Sequence, residues 1–259
     1  MDKNELERLS DSATAGHIDS INKLINYYLD NKDFNSAFTV ATRFNYLNDA
    51  KGFNTLGNFY QKGIGVESNI EKAKEYYIKA YELGECSGSY NLALLSIKEG
   101  DYLTALGYLT FGVDNNHIPS IKLLTNMYLN GDGLPKNRDV AISLLNKAIS
   151  LGDKHSSIVL GRISYSNEQY EEAFKAFSFG LDDNDPESYY YVALCHAKGY
   201  GVRQDFNVAF KFYELGAFKN EPRCLYNLSL YYRNGIVVNK NEEMADKLEK
   251  QAIENGFKK

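Results

Sequence analysis

Residues 50–84 read AKGFNTLGNFYQKGIGVESNIEKAKEYYIKAYELG, and this one stretch decides the fold. Its first part sets Leu56 between Gly52, four residues earlier, and Gly57, with Tyr60 following. Large and small side chains alternating at helical spacing are what two tightly packed antiparallel helices require. Gly63-Ile64-Gly65-Val66 then interrupts the helix. A second helix follows, marked by Ala73 and Ala80, with Tyr76-Tyr77 between them as core. Residues seven apart share one helix face two turns apart, so the alanines let another helix come close. Gly84, four residues further on, is a helix stop, because glycine enters the left-handed conformation without penalty.

The same marks recur along the chain. Ala37, Ala73, Ala105, Ala141, Ala173, Ala209 and Ala245 stand at intervals of 36, 32, 36, 32, 36 and 36. Seven residues after each comes Phe44, Ala80, Gly112, Ala148, Gly180, Gly216 or Ala252, all small but the first. The stop is Asn48, Gly84, Asn116, Gly152, Asn184, Asn220 or Gly256. The earlier helix of each repeat is marked by Leu24, Leu56, Leu92, Leu124, Leu160, Val192 and Leu228. A small residue precedes each by four positions (Ser20, Gly52, Gly88, Ser120, Ser156, Ser188, Cys224). These columns predict an all-α solenoid of seven antiparallel helix pairs at 17–48, 49–84, 85–116, 117–152, 153–184, 185–220 and 221–256. Residues 1–16 are expected to cap the single domain 17–256, leaving 257–259 as a tail.

Two connectors alternate. Repeats two, four and six carry Gly63-Ile64-Gly65-Val66, Gly131-Asp132-Gly133-Leu134 and Gly199-Tyr200-Gly201-Val202, and the last repeat has the eroded Gly235-Ile236-Val237-Val238. Repeats one, three and five omit four residues, which explains the 36/32 alternation. Leu56-Gly57, Tyr60, Gly63, Gly65, Val66, Lys72-Ala73, Tyr76-Tyr77, Ala80 and Gly84 together resemble the Sel1-like repeat family, a longer relative of the tetratricopeptide repeat. The resemblance covers about residues 17–256, with repeat one departing most at Ile25 and Phe44. It implies a right-handed superhelix whose first helices line a concave groove.

Composition narrows the function. A net charge of −5 and a pI near 5.5 argue against nucleic-acid binding, which needs a basic face. The N-terminal MDKNELERLSDSATAG has no apolar run, so neither a secretory signal nor membrane insertion is expected. Three irregularly spaced cysteines, Cys86, Cys195 and Cys224, form no disulfide framework and suggest a reducing, cytoplasmic setting. Tyr is abundant at 21 and Pro scarce at four, the latter in keeping with long helical stretches.

No constellation for chemistry is apparent. The G-x-G loops lack the strand and third glycine of a dinucleotide site and the G-K-[ST] of a phosphate loop, so they read as helix–helix turns. His17, His117, His155 and His196 fall in different repeats with no metal-ligand spacing. Cys195 and His196 are neighbours on one helix and point about 100° apart. Glu171-Glu172 and Glu242-Glu243 lie at helix starts, where they complement the dipole. Neither catalysis, a cofactor nor a metal is therefore expected. Cysteine-rich secreted members of the resembled family are associated with β-lactam hydrolysis, but the cysteine pairs that would imply it are missing here.

What the resemblance does imply is a groove that holds a protein or peptide partner, the chain itself being expected as a monomer. Its wall falls two before, two after and five after each marker Leu/Val. Asn22, Asn26, Asn54 and Asn58 present amides able to grip an extended backbone. Tyr90, Asn126 and Arg162 continue the wall, and Tyr190, Leu194, Tyr226, Leu230 and Arg233 carry residue types common at binding hot spots. The reading is a non-catalytic adaptor or scaffold. A structural component of an envelope or secretion assembly is the alternative.

Overall fold

The computed structural model describes residues 3–181 and 185–258. Short polar residues start the helices. Asp49, Asn69, Asp101, Asp153, Asp185 and Glu221 each accept a hydrogen bond from an amide two or three residues ahead. Three of the four prolines, Pro119, Pro186 and Pro222, sit in first turns, where the missing N–H costs nothing. The stops act as read: Asn48, Gly84, Asn116, Gly152, Asn220 and Gly256 all take positive φ. Asn184 lies outside the described residues.

The chain forms two compact halves, Met1–Asn137 and Arg138–Lys259. The first contains α1 (Lys3–Thr14), α2 (Ile18–Asp30), α3 (Phe34–Ala41), α4 (Phe44–Leu47), α5 (Ala50–Lys62), α6 (Ile70–Glu82), α7 (Cys86–Glu99), α8 (Tyr102–Asp114) and α9 (Ile118–Asn130). The second contains α10 (Arg138–Ser150), α11 (Lys154–Ser166), α12 (Tyr170–Gly180), α13 (Pro186–Lys198), α14 (Phe206–Phe218), α15 (Pro222–Asn234) and α16 (Glu242–Glu254). Within each half a helix packs on its neighbours in sequence, and no strand occurs among the described residues.

The small columns are explained by two contacts. In four places the small residue near the end of a second helix meets the small residue eight positions on, in the next first helix. A Cβ added at Gly88 would press on Ala80, one at Gly112 on Ser120, one at Gly180 on Ser188 and one at Gly216 on Cys224. In repeats two and five the residue after the marker leucine meets the core side chain of its own second helix: Gly57 lies flat on Tyr77, and Gly161 on Phe177. Both aromatics are fully buried.

Repeat one departs from the columns but keeps their sum. Phe44 fills the small position, and its ring lies where a Cβ on Gly52 would be. Ile25 takes the other small position, and Ala41 replaces the aromatic opposite, both buried in one cluster. Large and small have exchanged places, as close packing of a fixed volume allows. The second helix of this repeat breaks into α3 and α4. The N-terminal segment is itself helical: α1 packs on α2, Ser12 Oγ lies 2.7 Å from Ser20 Oγ, again eight residues apart, and Gly16 turns the chain with φ +89. Glu5 stands where the marker alanine would, so the column ran out one helix early.

The second glycine of each long connector has a specific duty. A Cβ at Gly65 or Gly201 would strike the carbonyl of Phe34 or Tyr170, and one at Gly133 the ring of Tyr102. Each is the first residue of the preceding second helix, so the connector lies directly on that turn. Val237 holds the equivalent place in the last repeat at φ +68.

Candidate functional site

On an α-helix, positions −5, −2, +2 and +5 about the marker form one stripe, because three- and four-residue steps stay on one face. The stripe of each first helix is the candidate face.

In the first half, Asn26 (α2) and Asn126 (α9) are exposed, and Asn22 is half-buried. The α5 amides serve the fold. Asn54 Oδ1 accepts from Asn91 Nδ2 at 2.8 Å, tying α5 to α7. Asn58 Oδ1 and Gln61 Oε1 lie 2.9 and 2.7 Å from the hydroxyl of Tyr77, a buried side chain whose phenol is raised above its ordinary value by burial. Asn58 thus has a structural reason to be asparagine that the sequence did not reveal. Tyr90 meets His117 edge to face at 5.8 Å.

In the second half, α11, α13 and α15 bring Arg162, Tyr190, Leu194, Tyr226 and Leu230 onto three stripes. Leu194, Leu230 and both tyrosines are half-buried. Two residues overlooked in the sequence complete the arrangement. Glu187 and Arg223 occupy the −5 positions of α13 and α15, one turn before Tyr190 and Tyr226. Their signal was that i, i+3 spacing. Glu187 Oε1 lies 3.7 Å from Arg162 Nη1 and 3.6 Å from Arg223 Nη2. Arg223 Nε donates to Glu221 at 2.7 Å, and its guanidinium stacks 4.3 Å above the Tyr190 ring. Buried Glu221 also caps α15 through the Cys224 amide, at 2.7 Å.

Two expected groove residues are otherwise engaged. Arg233 reaches Asp246, Glu249 and Glu242 at 2.7, 2.8 and 3.5 Å, tying α15 to α16. Tyr226 is stacked by Phe257 at 4.2 Å, so residue 257 packs on the fold. A further aromatic cluster surrounds Tyr165: Tyr170 and Tyr200 stack at 4.1 Å, and both meet Tyr165 edge to face. Burial, with the neighbouring Tyr200, pushes the Tyr165 phenol up to about 12.

Cys195 and Cys224 are buried and unbridged, and burial pushes the Cys195 thiol up to about 12, far from a nucleophile's range. Among the described residues no group of three or more His, Cys, Asp or Glu could hold a metal, and no helix is long and apolar enough to cross a membrane.

Paired helices packed through columns of small residues define an α-solenoid of the tetratricopeptide-like class. The Sel1 repeat matches residues 56–85, 126–153, 186–217 and 222–257, which are the repeats with the longer connector. The chain is a Sel1-repeat protein. Its fold is similar to that of a Sel1 repeat protein from Oxalobacter formigenes, at 24% identity, with a TM-score of 0.67 over 88% of this chain and 94% of that one. It is also similar to a protective antigen of uropathogenic Escherichia coli strains that displays an SLR fold, at 20% identity, with a TM-score of 0.74 over 96% of this chain. There the match spans 58% of the antigen's length. None of the curated proteins matches the sequence. As a class, Sel1-repeat proteins mediate protein–protein interactions and are mostly non-catalytic.

Proposed function

We propose that the chain is a non-catalytic adaptor or scaffold that holds a protein or peptide segment along its first-helix face, in a reducing, cytoplasmic setting. The observation that carries this reading is the alignment of Tyr190 and Leu194 on α13 with Leu230 on α15, all half-buried. Tyrosine and arginine are enriched at binding hot spots because they give large contact area with a polar end. The exposed amides of Asn26 and Asn126 support a lesser, backbone-gripping role in the first half.

A photo-crosslinking residue at Leu194, compared with one at exposed Glu214 on α14, tests the face in cells. A discrete adduct is expected from position 194 and none from 214. Tyr190→Ala should weaken the captured partner by about 2 kcal/mol or more, with circular dichroism unchanged. Adducts from 214 alone, or full retention by a folded Tyr190→Ala/Leu230→Asp variant, would move the binding surface to the second helices.

A further inference from the structure

Helix α1 has the marks of a second helix. Ser12 stands in the small column and meets Ser20, and Gly16 stands in the stop column with φ +89. No first helix pairs with α1 among the described residues. The face that such a helix covers elsewhere is open. All seven marker alanines are fully buried, whereas Glu5, at the same place in α1, is exposed. Four positions on, Tyr77, Leu109, Leu145, Phe177 and Tyr213 are buried, whereas Leu9 is only half-buried. A groove of about 400 Å³ lies there, lined by Glu5, Arg8, Leu9, Ser12 and Lys23.

The completed repeats show what fits such a face and in which register. Tyr60, four positions after its marker leucine, stacks at 5.5 Å on Tyr76, three after the marker alanine. His196 lies parallel to Phe212 at the equivalent places. Asn91, one before its marker leucine, donates to Asn54 on the preceding first helix, two before its own marker. Arg8 corresponds to Tyr76 and Phe212, and Lys23 to Asn91. A helix in the groove therefore meets Arg8 four positions after its central leucine and Lys23 two positions before it. Both cations are exposed, and both positions are uncharged in every other repeat. Where neutral groups join the helices elsewhere, two cations select carboxylates.

We propose that α1 and α2 form a socket for an amphipathic helix of a partner protein, which lays an apolar stripe on Leu9 and acidic side chains against Arg8 and Lys23. The residue after its central leucine is small, since Ala93 and Thr125 hold that place in the repeats whose core side chain is a leucine. A second copy of the chain supplies no such helix, because its α2, α5, α7, α11, α13 and α15 are packed on their own second helices. The socket needs nothing from the face on α13 and α15.

The test titrates the full chain into two fluorescein-labelled peptides built on the fourteen residues of α7. Both carry Cys86→Ser and a hydrocarbon staple joining positions 94 and 98, exposed on α7, which holds the helix. One carries Tyr90→Glu and Ser96→Glu, the other Tyr90→Lys and Ser96→Lys. Fluorescence anisotropy at low salt should show the Glu peptide bound about tenfold more tightly than the Lys peptide. The difference should shrink as salt is added. Arg8→Glu/Lys23→Glu should reverse the preference, which a structural role for either residue would not do. Leu9→Asp should remove binding of the Glu peptide. Leu9 also packs on the core, so the charge reversal, confined to exposed side chains, decides the matter. Equal affinity for the two peptides, a preference unchanged by the reversal, or no binding of either at millimolar concentration would overturn the proposal. So would light scattering that shows a dimer dissociated by Arg8→Glu, since a second copy would then fill the socket.

Discussion

The amide of Asn58 holds the hydroxyl of Tyr77, oxygen to oxygen 2.9 Å, across the two helices of repeat two. In repeat six the equivalent pair is Leu194 and Tyr213, so the same column holds a structural amide in one repeat and a half-buried leucine in another. Removing Asn58 leaves Gln61 as the remaining amide at a buried phenol. Asn58→Ala should therefore cost about 0.5–1.5 kcal/mol of stability, while Asn26→Ala should change little. Urea denaturation of both variants decides it; equal midpoints would show that the Tyr77 bond contributes nothing net.

Gly57 offers a sharper test of packing. Its missing Cβ is the space the Tyr77 ring occupies. Gly57→Leu should destabilise by about 1–3 kcal/mol or more through overpacking. Lys74→Ala breaks only a 3.4 Å surface pair with Glu99 and should cost less than about 1 kcal/mol. A thermal melt of Gly57→Leu matching the wild type would contradict the packing of α5 on α6.

Val237 sits at φ +68, where its counterparts in the other long connectors are glycines. A β-branched side chain pays roughly 1–2 kcal/mol for left-handed backbone. Val237→Gly should raise stability by up to about 1 kcal/mol once glycine's greater unfolded-state entropy is deducted. The side chain is substantially exposed, so little packing is lost. A lowered denaturation midpoint would show that the strain is not expressed.

His196 should make stability fall below neutrality. It lies edge to face with Phe174 and parallel to Phe212. Burial lowers its affinity for a proton below the ordinary 6.5, against opposing contributions from Asp205 and the Arg203 carbonyl. A depressed folded value means that stability is fully present above about 6.5 and is lost as pH falls towards the folded value. Burial acts on His117 in the same direction, with Glu85 opposing. Asp101 and Asp205 are lowered below 3.8, chiefly by hydrogen bonds at Thr104 and Val208, so their contribution is lost only in stronger acid. Denaturation at pH 7.5 and 5.0 should show a decline that His196→Phe reduces; an identical slope in the variant would assign it elsewhere.

Helix ends, connector types and both small columns could be read from the sequence alone, because each depends on residues within a turn or on a strict repeat. Asn48, Gly84 and Gly152 stop their helices by their own backbone preference, whatever surrounds them. Even the exchanges at Ile25 and Phe44 were visible as departures from the columns, though not what compensates them. Tertiary structure alone decided which polar and aromatic side chains the fold itself engages. Asn58 is taken by a ring 19 residues later, Arg233 by three acids of α16, and Tyr226 by Phe257. Glu187 meets Arg162 and Arg223 only because the packing sets α11, α13 and α15 side by side. A backbone turn is chosen locally, whereas the partner of a long polar side chain is chosen by whatever distant residue the packing places within about 3 Å of it.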